Sequence, residues 1–203
     1  MEKFEIKAKN TDFDLFEFIK RNNVLIYSVL FYSAGLLCGS FVYKRLESDV
    51  LNSLFSVVKL TFGQELINNL SFYFLIFAVS VLMGICLIGF PFMNLIPFFF
   101  GGYIGMEISY YYITYGIKGF GFALLMVAPF ACLFLTVLIQ TISKSYVLSK
   151  RIYNITIKKS DTADNVDYKL YLKNFVMYGL IIILIAFINT GLSQALGTII
   201  SLD

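Results

Sequence analysis

The chain has 203 residues, of which 59% are hydrophobic and only 14% are charged, and its formal net charge is +3. Soluble domains carry about 25% charged and about 45–50% apolar residues, so this composition excludes an ordinary soluble enzyme. The chain contains no histidine, and it therefore lacks the usual acid–base group of neutral pH and every histidine-based metal site. The small net charge is not typical of a nucleic-acid-binding protein, and we predict no nucleic-acid partner.

Charged residues are absent from four long stretches of 22, 41, 25 and 29 residues. A membrane helix needs about 20 apolar residues. The 41-residue stretch would form a helix of roughly 60 Å, twice the hydrocarbon thickness of about 30 Å, so it must fold back. We therefore predict an all-α membrane helix bundle. Its five predicted spans are about 24–43, 72–89, 92–112, 120–141 and 175–196.

The segments between the predicted spans are polar or amphipathic. Residues 1–23 are predicted to form a cytoplasmic tail, and residues 142–174 a basic cytoplasmic loop that can contact anionic lipid headgroups. In residues 44–71 an apolar side chain recurs at every fourth position, which is typical of an amphipathic helix interrupted near Gly63. This segment either packs on the protein's own helices or offers a docking surface to a partner.

The distribution of Lys and Arg predicts the orientation. Five spans place the tail, the turn at Gly89–Pro91 and the 142–174 loop on one side, which then holds 12 of the 16 basic residues. Since cytoplasmic loops carry the excess of basic residues, the N-terminus is predicted inside a bacterial cell membrane and Asp203 outside it. The 44–71 segment then faces outward, and we place the centre of a partner-docking surface at Leu54 and Phe55.

Small residues and prolines mark helix contacts and turns in this sequence. Gly35 and Gly39 form a GxxxG pair, a spacing that lets two helix backbones approach closely. Pro97 is predicted to kink the third span or to mark its first turn, whereas Pro129 is predicted in the middle of the fourth span.

Glu107 is the one ionisable residue inside a predicted span. Such residues mark proton or ion paths by default, but Glu107 lies only roughly 7–8 Å of helical rise from the predicted end of its span, where Lys118 could pair with it. A small transporter or channel, or a subunit of one, is therefore the alternative function, with Glu107, Asn94, Asn189 and Gln194 lining the path. An intramembrane enzyme is disfavoured because the spans hold no paired catalytic polar residues.

A series of glycines and prolines, in this order and spacing over five spans, resembles the stage II sporulation protein M family of endospore-forming bacteria. The series consists of Gly35, Gly39, Gly84, Gly89, Pro91, Gly102, Gly105, Gly116, Lys118, Gly119 and Pro129. The resemblance implies a non-enzymatic membrane scaffold without cofactor or metal. It further implies that the scaffold holds two peptidoglycan-degrading partners, stage II sporulation proteins D and P, at the septal membrane during engulfment.

Overall fold

The computed structural model describes residues 23–43, 45, 61–157 and 168–197, with side chains except at 168–170 and 196–197. Every regular element in these ranges is a helix. In chain order they are α1 (Asn23–Tyr43), α2 (Phe62–Ile85), α3 (Gly89–Phe92), α4 (Leu95–Met126), α5 (Ala128–Thr156) and α6 (Tyr168–Gly197). The predicted tail, most of the 44–71 segment and its centre at Leu54 and Phe55 lie outside the described residues.

Four helical stretches of the described chain are long and apolar enough to cross a bilayer, which indicates a membrane protein. They are Asn23–Tyr43, Phe62–Ile85, Gly89–Thr156 and Tyr171–Ala195. Length and composition alone therefore distinguish four stretches and do not confirm the five predicted spans. The third stretch has 68 residues and holds both the predicted third and fourth spans. As one straight helix it would measure about 100 Å, far beyond the hydrocarbon thickness.

The long third stretch folds back on itself at Gly116. This residue has φ 62° and ψ −139°, a conformation that interrupts α4 and that glycine alone adopts easily. The Tyr111 and Phe122 rings on either side of the break lie 5.1 Å apart between centroids. Further away, Phe100 meets Phe134 of α5 at 5.0 Å. The two halves therefore run antiparallel, and we call this extremity of the bundle the Gly116 end.

Helix α1 has small and tyrosine residues on its buried side and large apolar residues on its exposed side. Its buried residues are Ser28, Tyr32, Gly35, Gly39 and Tyr43, at the spacing of one helical face. Leu37 and Phe41 are exposed instead. A soluble helix shows the opposite pattern, whereas helices packed within lipid place small residues at their contacts.

Helix α2 begins ten residues earlier than the predicted second span. Thr61 caps it through a capping box in which the Thr61 amide donates to the Gln64 side chain at 3.2 Å. The interruption expected near Gly63 is thus a helix start, and the last residues of the predicted amphipathic segment belong to α2. Gly63 lies in the first turn of α2 and does not break the helix. A Cβ atom added to it would meet no atom within 4 Å.

The two interior prolines both lie at helix starts. Pro97 occupies the first turn of α4, one of the two positions predicted for it. Pro129 occupies the first turn of α5, directly after Val127 separates α4 from α5. Val127 itself keeps helical dihedral angles, φ −89° and ψ −49°, so Pro129 lies within the predicted fourth span and marks a local break in its helical hydrogen bonding.

Helix α5 lies at the centre of the bundle. Its Phe134 stacks on Tyr73 of α2 at 4.6 Å and meets Phe100 of α4, while Phe77 of α2 meets Phe175 of α6. The segment predicted as a basic loop over 142–174 is helical over most of its length. Helix α5 continues to Thr156 and α6 begins at Tyr168, since the buried side of α5 stays apolar or small beyond residue 142.

Candidate functional site

The first candidate feature is the crossing of α1 and α4, where glycine backbones lie in direct contact. A Cβ atom added to Gly35 would collide with the carbonyl oxygen of Phe98, and one added to Gly39 would collide with the carbonyl oxygen of Gly102. The predicted GxxxG pair therefore lies on a helix contact. No side chain larger than hydrogen fits at either position without moving a helix.

The same contact is built from α4 as well. Gly101 approaches the carbonyl of Tyr32 and Gly105 that of Leu36, so closely that a Cβ atom would overlap either oxygen. Ser40 of α1 adds a hydrogen bond to the Gly105 carbonyl at 3.3 Å. We call this surface the glycine crossing: Gly35, Gly39, Gly101, Gly102 and Gly105.

Two further glycines of the family-like series lie elsewhere in the fold. Gly84 of α2 faces the Ser145 side chain of α5 and the hydroxyl of Tyr171 of α6, two groups that share a hydrogen bond of 3.3 Å. Gly89 packs against the Met83 carbonyl, within the turn that precedes α4. The series thus marks several unrelated contacts and does not form one binding surface.

Most of the remaining residues of the series lie near chain reversals. Gly119 packs on the Tyr111 carbonyl inside the hairpin whose reversal is Gly116. Lys118 and Pro91 are exposed. Lys118 lies just beyond the Gly116 break, whereas Glu107 lies nine residues before it, so the two residues are on opposite arms of the hairpin.

The second candidate feature is the environment of Glu107. This residue is half-buried, nine residues before the Gly116 break, or roughly 13 Å of helical rise. It therefore lies deeper than the predicted 7–8 Å, because α4 continues past the predicted end of the third span. Tyr73, Tyr103 and Tyr111 lie close enough to interact electrostatically with its carboxyl group.

Hydrogen bonds extend this polar region from α2 to α6. The Asn189 side chain of α6 donates to the Tyr73 hydroxyl at 3.3 Å. One turn earlier on α2, Asn69 donates to the Thr190 hydroxyl at 3.1 Å, and Thr190 donates to the Ala186 carbonyl at 3.0 Å. We call the group of Glu107, Tyr73, Tyr103, Tyr111 and Asn189 the Glu107 cluster.

Only one of the three amides predicted to line a path with Glu107 belongs to this cluster. Asn189 joins it through Tyr73. Asn94 lies at the opposite extremity of the bundle, beside α3, which we call the α3 end. Gln194 is half-buried and lies further along α6 than Asn189. Of the four residues predicted to line a path, only Glu107 and Asn189 therefore belong to one cluster.

Sequence reasoning missed Tyr73 and Asn69 as polar partners. The available signal was their spacing of four residues, which places two polar groups on one face of α2. It also missed Ser149, which lies in the predicted loop. Its hydroxyl donates to the Cys86 carbonyl at 2.7 Å and accepts from the Phe90 amide at 3.1 Å, so it attaches the turn before α3 to α5.

The described residues contain no group of three His, Cys, Asp or Glu side chains that could hold a metal ion. Cys38, Cys86 and Cys132 are exposed free thiols.

Comparison of the chain with protein-family models, with curated proteins and with solved structures finds no match. The resemblance to the stage II sporulation protein M family therefore stays a prediction that depends on the glycine and proline series alone.

Proposed function

We propose that this protein crosses a bacterial cell membrane five times, with its N-terminus inside and its C-terminus outside. The reversal at Gly116 supports five crossings, because it divides the 68-residue stretch into two antiparallel halves. The distribution of basic residues supports the orientation. Four of them, Lys144, Lys150, Arg151 and Lys173, follow or precede membrane-length apolar runs at the α3 end, as cytoplasmic flanks do.

Within that membrane we propose a non-enzymatic scaffold that holds other proteins in place. The observation that carries this proposal is the glycine crossing, in which two backbones touch with no side chain between them. Such contacts join membrane helices closely, and aromatic packing around Phe134 fills the centre of the bundle. A closely packed bundle suits a protein whose task is to fix the position of partners.

The proposed partners are peptidoglycan-degrading proteins on the outer side of the membrane, and they come from the family resemblance. Their proposed docking surface is the segment between α1 and α2, with Leu54 and Phe55 at its centre. In this orientation the segment lies on the side of the cell wall.

A paired set of variants tests the docking surface. Leu54→Asp together with Phe55→Asp should abolish co-purification of wall hydrolases from crosslinked membranes, with the protein still present in the membrane. The matched control, Ser53→Asp with Ser56→Asp, adds the same charge beside the apolar positions and should leave co-purification intact. Undiminished co-purification in the Leu54/Phe55 variant would contradict the proposed docking surface.

The second candidate function is proton or ion transport, and the Glu107 cluster favours it. Carboxyl groups inside membrane-spanning segments are found along ion paths, and three tyrosines lie in electrostatic range of Glu107. Purified protein in liposomes distinguishes the two functions. Proton flux that Glu107→Gln abolishes supports transport, whereas no flux from the wild-type protein, with hydrolase recruitment unchanged in Glu107→Gln, supports the scaffold.

A further inference from the structure

A small cleft opens at the α3 end, where α1 begins and the chain turns from α2 into α4. Its volume is about 260 Å³, and it is lined by Asn23, Val24, Tyr27, Phe90, Pro91, Asn94 and Tyr146. Four of these residues offer polar groups: the side-chain amides of Asn23 and Asn94 and the phenols of Tyr27 and Tyr146. The others provide apolar walls, and the Phe90 ring meets the Tyr146 ring edge-on at 6.1 Å.

A cation lies directly beside this cleft. The ammonium group of Lys150 is 5.8 Å from the centroid of the Tyr146 ring, which forms one wall. Because Lys150 is exposed, its side chain is free to reach a ligand in the cleft. Lys144 and Arg151 lie on the same helix, and Lys173 lies near the start of α6 at this end. Among the residues that the structure describes, those at the α3 end include basic side chains and no acid.

We propose that this cleft binds the phosphate headgroup of an anionic phospholipid. The Lys150 ammonium would pair with the phosphodiester oxygens, and the Asn23 and Asn94 amides would donate hydrogen bonds to them. A cleft of this volume holds a small headgroup and is below the usual size of a pocket that encloses a drug-sized ligand, about 300–1,000 Å³. Charged headgroups meet basic residues of membrane proteins at this kind of interface.

The apolar surroundings favour a lipid over a soluble phosphate. Ile88 and Phe92, on either side of the turn that carries Phe90 and Pro91, are exposed large apolar side chains. They would contact the acyl chains of a lipid whose headgroup fills the cleft, and they offer nothing to free phosphate. This inference depends on the proposed membrane location but not on the scaffold role.

The test measures binding of phosphatidylglycerol and phosphatidylcholine to the full-length protein in mixed non-ionic micelles. The wild-type protein should retain phosphatidylglycerol in preference to phosphatidylcholine. Lys150→Ala should weaken that binding about fivefold, the effect expected of one basic side chain near an anionic surface, and Asn94→Asp should weaken it further by placing a negative charge in the cleft. Lys118→Ala removes an exposed cation at the Gly116 end and should change nothing.

Three results would overturn the proposal. One is equal retention of the two lipids. Another is an equal loss of binding in Lys118→Ala and Lys150→Ala, which would mean a diffuse charge effect. The third is a thermal stabilisation by glycerol 3-phosphate as large as that by phosphatidylglycerol, which would assign the cleft to a soluble phosphate. Failure of the chain to partition into membranes would contradict the proposed location instead, so the two failures are distinguishable.

Discussion

The glycine crossing and the Glu107 cluster join helices of one bundle in opposite ways. At the crossing, Gly35 and Gly39 bring two backbones together by leaving space empty. In the cluster, long side chains such as Tyr73 and Asn189 fill the space and exchange hydrogen bonds. A contact between two backbones has no room for an added methyl group. Removing one hydrogen bond from the polar cluster leaves its other contacts in place. The crossing should therefore be far more sensitive to substitution than the cluster.

The largest effect is expected at the crossing. Gly35→Ala should destabilise the bundle by about 3 kcal/mol or more, because the new methyl group collides with the Phe98 carbonyl and the helices must separate. The measurement is the unfolding midpoint in a denaturing-detergent titration. Gly179→Ala is the control, since that glycine of α6 has no neighbour within 4 Å and should be neutral or slightly stabilising. Equal unfolding midpoints in the two variants would contradict the close backbone contact at Gly35.

An intermediate effect is expected at the Gly116 turn. Gly116→Ala should cost about 1–3 kcal/mol, since φ 62° with ψ −139° is a conformation that residues with a Cβ atom rarely adopt. No atom lies within 4 Å of the added methyl group, so the loss would report backbone strain alone. Gly121→Ala, also without close neighbours, is the control in the same titration. A Gly116→Ala protein as stable as the Gly121→Ala protein would contradict the turn.

The smallest effect is expected in the Glu107 cluster. Tyr73→Phe removes the acceptor of the Asn189 hydrogen bond and keeps the ring stacked on Phe134. Hydrogen bonds between membrane helices contribute about 0.6 kcal/mol on average and at most about 1.7 kcal/mol, so the midpoint should shift within that range. Tyr112→Phe changes an exposed tyrosine and should leave the midpoint unchanged. If Tyr73→Phe lowered the stability as much as Gly35→Ala, the glycine crossing and the Glu107 cluster would not differ in sensitivity to substitution.

The sequence predicted the helices best where charge bounds them. The first predicted span, 24–43, agrees with α1 (Asn23–Tyr43), because Lys44 and Arg45 follow directly. The predicted second span misses the start of α2. The charged residue Glu65 lies within the first turn of α2, and its charge favoured a helix on the membrane surface over a span. The depth of Glu107 was underestimated because the aromatic end of the third span continues as helix until Gly116.

The partners of the candidate residues were the least accessible to sequence. The GxxxG pair was visible, but not that Gly101, Gly102 and Gly105 lie against it, since the hydrogen bond between Ser40 and Gly105 joins residues 65 positions apart. The bond between Asn189 and Tyr73 joins residues 116 positions apart. Helical periodicity identifies the buried face of one helix. Only the packing of the bundle determines which other helix lies against that face.

The most direct test of five crossings uses single cysteines on either side of the Gly116 reversal. In a protein whose native cysteines are replaced by serine, Ile117→Cys places a thiol at a residue that is 86% exposed, and Lys150→Cys places one at the α3 end. We predict that a membrane-impermeant maleimide labels Ile117→Cys in intact spheroplasts and labels Lys150→Cys only after permeabilisation. Labelling of both thiols from the same side would contradict the crossing between them, and the reverse pattern would contradict the orientation.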